Sequence, residues 1–160
     1  MAARGGLSGE RGPGAAALRN AALLKGRAAR MRNLQRPAVV TAESCNQMIA
    51  KAYASKREPF GGAWAPLKYR REPPPTLQSA SNTSKDATKV TAANGNLRFY
   101  TTEHMFHHMS DPQSAKRTFP KRNPTPLHYV DGKGWMFKPQ VVTAHARRVK
   151  QWIEKGTVTA

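Results

Sequence analysis

The densest group of side chains able to do chemistry is Glu103-His104-Met105-Phe106-His107-His108, which holds three of the chain's five histidines. His104 and His108 stand four apart, so on a helix both could face one metal ion. The segment instead follows a run that reads as a strand, where those two positions share a face with Phe106. No cysteine pair supports a metal centre, and His128 and His145 have no ligand spacing. Loop or interface histidines are the preferred reading, and neither metal nor cofactor is expected.

Nucleophilic chemistry is equally thin. Cys45 is the single cysteine and falls on the apolar stripe of a helix, where burial suppresses the thiolate. Serines and threonines are scattered without a local base, and no glycine-rich loop has a Walker or dinucleotide pattern. The nine acidic residues are well spread, which disfavours paired-carboxylate catalysis. No catalytic residue is nominated, and a non-enzymatic role is expected. One cysteine also rules out an intramolecular disulfide framework and fits a reducing compartment or indifference to redox state.

Charge is the stronger signal. Across 160 residues, 27 Lys and Arg face nine Asp and Glu, a formal net charge of +18. A chain so charged repels itself and is expected to live against something acidic, nucleic acid first and an acidic protein next. Aromatics interleave with basics in Lys68-Tyr69-Arg70-Arg71, Arg98-Phe99-Tyr100 and Lys116-Arg117-Thr118-Phe119, as stacking platforms require. No RNA-recognition or zinc-finger motif accompanies them. Hydrophobic residues make up 39%, normal for one globular domain once glycine is added. Three Trp, four Tyr and five Phe argue against disorder throughout. No apolar window is long enough to span a bilayer, so no membrane partner is expected.

The elements that must position these groups follow from periodicity. Residues 1–36 read as a basic arm, partly helical from residue 15, holding eight basic residues against Glu10. Gly26 weakens the middle of that helix by roughly 1 kcal/mol relative to Ala. The arm reads either as a solvated tail or as an assembly element ordered by a partner, and the density of charge favours the second. Its composition also mimics an organelle transit peptide, although the segment is expected to be retained. Residues 37–160 read as one domain with a flexible, proline-rich loop over 72–88. Its first helix starts near Pro37, carries Val40, Cys45, Met48, Ile49, Ala52 and Tyr53 on one face, and ends before Glu58-Pro59. A hairpin follows around Asn94-Gly95, then an irregular basic stretch over 110–126. A short strand over 127–130 and a turn at Asp131-Gly132 come next. The last helix begins at Pro139, with Val141, Val142, His145, Val149, Trp152 and Ile153 facing inward, and stops at Gly156. The fold expected is α+β: a small antiparallel sheet flanked by a long N-terminal and a C-terminal helix, with long loops.

Between helix and proline-rich loop lies Pro59-Phe60-Gly61-Gly62-Ala63-Trp64-Ala65-Pro66-Leu67, whose apolar bulk predicts a plug folded onto the core. This stretch resembles the "P-x-G-x-x-W-x-P-L" loop of the phage virion morphogenesis or tail completion family, which includes Mu-like minor tail proteins. Pro59, Gly61 or Gly62, Trp64, Pro66 and Leu67 match it. Pro120, Arg122 and Pro124 match a later "I-P-x-R-P-F-L" segment in spacing and type. Tyr100 with His104, His107 or His108 echoes a "Y-A-x-x-H-Q-x-G" stretch loosely. The glycine after the histidine is absent, and Pro124-Thr125-Pro126 stands where an apolar run is expected.

The resemblance covers roughly residues 37–155 and implies a structural virion protein at the head-proximal end of a phage tail. Such a protein forms a ring, expected to be hexameric, that caps the tail tube and joins it to neck or connector proteins. DNA in the channel and the tail-tube surface are the acidic partners it implies. Arg27, Arg30, Arg32, Arg70, Arg71, Arg117, Lys121 and Arg122 are then the basic residues expected to face a neighbouring subunit or DNA. The competing reading, carried by charge and by the Arg- and Pro-rich extensions, is a ribosomal or other RNA-packed structural protein.

Overall fold

The architecture comes from a computed structural model that describes residues 13–64, 86–102 and 123–159. Among these it is α+β: α1 (Pro13–Arg32), α2 (Gln35–Ser55), β1 (Lys89–Ala93), β2 (Asn96–Tyr100), β3 (Leu127–Val130), β4 (Gly134–Phe137) and α3 (Pro139–Lys155). The strands form two separate antiparallel ladders, β1–β2 and β3–β4, where one small sheet was expected. The strand β4 was not foreseen, because four residues after a glycine-rich turn are too short to show alternation.

Helix α2 organises the body. Asn33 Oδ1 accepts the N–H of Gln35 at 3.2 Å, and Pro37 sits in the first turn, where its missing N–H has no intrahelical partner. The helix therefore opens two residues before the proline that signals it. It closes at Lys56, left-handed at φ 53°, whose N–H donates to Ala52 O. Its buried face comprises Pro37, Ala38, Val40, Thr41, Ala42, Cys45, Ile49, Ala52 and Tyr53. Cys45, Ile49 and Tyr53 meet Val90, Leu127 and Val141 in the core, with Trp64, Leu97, Phe99, Trp135 and Phe137 packed around them.

The β1–β2 turn has Asn94 at φ 52° and Gly95 at φ 78°, the paired positive values of a tight hairpin. Leu97 and Phe99 turn inward while Arg98 and Tyr100 face out. The other edge of β1 is closed by α2 itself. Asn46 acts as a surrogate peptide: its Nδ2 donates to Val90 O at 2.9 Å, and its Oδ1 accepts Val90 N–H at 2.8 Å. Gln35 does the same further along, donating to Ala92 O and accepting from Gly95 N–H. Eleven residues separate the two amides, about three helical turns, so both project from one face.

A second buried polar knot precedes β3. Asn123 Nδ2 donates to Leu127 O at 2.7 Å, while its Oδ1 accepts from the backbone N–H and hydroxyl of Thr125. Asn123, Pro124, Thr125 and Pro126 are all buried, although this end of the 110–126 stretch was expected to be irregular and basic. Local hydrogen bonding allows these polar groups to lie inside.

Asn46→Ala strips Val90 of both main-chain partners while leaving α2 intact. It is expected to destabilise the protein by about 2–6 kcal/mol, since each of the two stranded buried groups costs about 1–3. Urea unfolding monitored by tryptophan fluorescence checks this.

Candidate assembly interface

Helix α1, unbroken through Gly26, spans about 30 Å and is barely covered. From residue 16 to 32 only Gly26 and Arg30 are other than exposed. Leu18 is 74% exposed, Leu24 64% and Met31 60%, and Arg19, Lys25, Arg27 and Arg32 are exposed too. Among the described residues, the arm is tied down where it meets α3. Arg30 Nε donates to Ile153 O at 2.9 Å, and Trp152 Nε1 donates to Asn33 O at 2.8 Å and Arg30 O at 3.2 Å. The guanidinium thus caps one carbonyl of the last turn of α3, where a cation also suits the helix dipole. A Cβ at Gly156, itself at φ 74°, would come within 3.3 Å of Arg30 Nη1.

Arg27 and Arg32 face solvent, whereas Arg30 is half-buried and bonded to the end of α3. Composition cannot separate the three, because the difference lies in which helix face meets α3. Arg70, Arg71, Arg117, Lys121 and Arg122 lie outside the described residues, as do Pro66, Leu67, His104, His107 and His108. Of the predicted basic residues, the structure describes Arg27, Arg30 and Arg32, all on α1.

The loop after α2 is a miniature hairpin. Gly61 N–H donates to Glu58 O and Glu58 N–H to Gly62 O, both at 3.0 Å; Trp64 N–H donates to Lys56 O at 2.9 Å. Pro59 and Phe60 are the central pair of its turn, and Phe60 takes φ 60°, a place that ordinarily goes to glycine. Glycine is required one residue later by space: a Cβ on Gly61 would lie 2.8 Å from Glu58 Cβ, whereas one on Gly62 meets nothing within 4 Å. Trp64 folds back as expected and stands edge-on to Tyr53, with ring centroids 5.9 Å apart. Phe60 does not: it is 50% exposed and borders an open groove of about 450 Å³ with Met48, Ala52 and Arg57. Lys138 Nζ holds the turn from α3, donating to Pro59 O at 2.7 Å.

Cys45 and His145 are both engaged in the packing of the body. Burial pushes the Cys45 thiol up to about 11, against a smaller pull from Arg148, so it is no nucleophile. Thr41 Oγ1 donates to Pro37 O at 2.8 Å and lies 2.9 Å from His145 Nδ1. With its one proton committed, the hydroxyl accepts from His145, which fixes the Nδ1–H tautomer. Burial first, and the Arg148 charge second, hold His145 below its ordinary value. No group of three His, Cys, Asp or Glu suited to a metal ion occurs among the described residues. The expected inward face of α3 is only partly realised: Val141 is buried, but Val142 is 55% exposed. No helix among the described residues is long and apolar enough to cross a membrane.

Compared with known protein families, with characterised proteins and with solved structures, the chain matches none.

Two outcomes follow from this geometry. Trp152→Phe removes both bonds to the α1–α2 joint and is expected to speed amide exchange over residues 28–34 about tenfold, from roughly 1–2 kcal/mol of lost hydrogen bonding. Hydrogen-exchange mass spectrometry reads this, with β1 as the unchanged reference. For His145, the lowered folded value means that the unfolded chain binds the proton more readily. Its stabilising contribution is complete above the ordinary histidine value of about 6.5 and is lost progressively as pH falls from there through the lower folded value. His145→Gln keeps a donor for Thr41, so the drop in Tm between pH 7.5 and 5.5 is expected to shrink.

Proposed function

We propose that this chain is a structural protein of a phage virion, closing into a ring at the head-proximal end of the tail and joining tube to neck. It works by shape and charge, without catalysis. The observation that carries the reading is the Pro59–Trp64 turn. Spaced as in the tail completion loop, it closes directly on the helix it follows, sets its tryptophan against that helix, and leaves an aromatic exposed beside a groove. The projecting cationic arm fits the same role, reaching toward an acidic neighbour while the body stays in its own ring.

Electron microscopy of the full chain, free of nucleic acid, tests the proposal. Discrete closed rings are expected, and they should become more numerous between 50 and 300 mM salt, because screening relieves repulsion among subunits of +18. A monomer that binds RNA, and releases it over the same salt range, would instead establish the RNA-packed reading.

A further inference from the structure

Helix α1 carries a second pattern that the body does not use. Ala17, Ala21, Leu24, Ala28 and Met31 recur at intervals of four, three, four and three, the a/d spacing of a coiled-coil seam. All five are exposed. Ala21 lies nine positions before Arg30, half a turn around the helix, so the seam faces away from the contact with α3. Lys25 and Arg32 occupy flanking e positions and Arg27 a g position; six basic and no acidic residues occur between Pro13 and Arg36.

These charges select the occupant. A second copy of α1 would set cation against cation on both flanks, in either orientation. No single segment of the chain offers the seam a row of acids, because no two of its nine acidic residues lie closer than the eight positions between Glu103 and Asp111. Nucleic acid would satisfy the cations but has no use for exposed Leu24 and Met31. Small residues at a positions, Ala21 and Ala28, let a helix approach closely. We infer that α1 is one strand of a heterotypic coiled coil, and that its partner is an acidic amphipathic helix of a different protein with carboxylates at e and g. This deepens the assembly reading by naming the chemistry that the arm meets.

The probe is a synthetic 21-residue helical peptide with leucine at a and d and glutamate at e and g, titrated into the full chain by fluorescence anisotropy. It is expected to bind at least tenfold tighter than polyglutamate of equal length. Leu24→Glu with Met31→Glu should abolish that tenfold margin without lowering Tm, both sites being exposed. Lys25→Glu, Arg27→Glu and Arg32→Glu together should transfer binding to the lysine version of the peptide. Equal affinity for polyglutamate, or displacement by a 21-base-pair DNA duplex with no dependence on Leu24 and Met31, overturns the inference. Peptide binding without rings leaves it standing while the ring proposal fails; rings without peptide binding do the reverse.

Discussion

The body depends on one exchange of hydrogen bonds, that between Asn46 and the main chain of Val90. A two-stranded ladder is marginal alone in water, and its outer edge offers unpaired N–H and C=O groups to any passing strand. Here Asn46 and Gln35 satisfy that edge from α2 at Val90, Ala92 and Gly95. The same contacts bring the apolar face of the helix onto the strand. Edge protection and core formation are therefore a single event, and Val90 is buried at their meeting point. Apolar packing supplies most of the cohesion, but the amides fix where along the strand the helix rests.

Polar groups recur as locators throughout the body. Asn123 and Thr125 form a closed knot ahead of β3, Lys138 ties the α3 N-terminus to the Pro59 turn, and Arg30 with Trp152 ties the C-terminus of α3 to α1. Each joins segments distant in sequence or closes an irregular one. A chain with so much like charge gains from this arrangement, since directional bonds hold geometry that a modest core alone leaves loose.

Periodicity and punctuation made much of this legible in advance. The α2 stripe, the Asn94-Gly95 hairpin, Pro139 at the start of α3 and Gly156 at its end each express a local rule: side-chain period, positive φ, or a missing N–H. What stayed hidden depended on partners remote in sequence. Asn46 and Gln35 look like ordinary polar residues on a helix until a strand lies beside them. Arg30 is indistinguishable from Arg27 and Arg32 until α3 arrives. Phe60 was read as a plug because it is apolar, yet its turn position points it outward, and Trp64 supplies the bulk that packs. The Asn123–Pro126 segment is irregular as read, but its burial stayed hidden because it rests on side-chain hydrogen bonds that composition does not display.

The attachment of α1 has a mechanical meaning. A rigid helix of about 30 Å that the described residues hold at its final turn is a lever, and a 10° error at the pivot displaces its far end by ~5 Å, a full helical pitch. Two hydrogen bonds from one indole and one from a guanidinium thus set the aim of the whole arm. In a symmetric assembly every copy carries the same pivot, so its stiffness decides whether all arms reach their targets in register or scatter across several. Small changes at Trp152, far from anything the tip touches, would act as changes in reach.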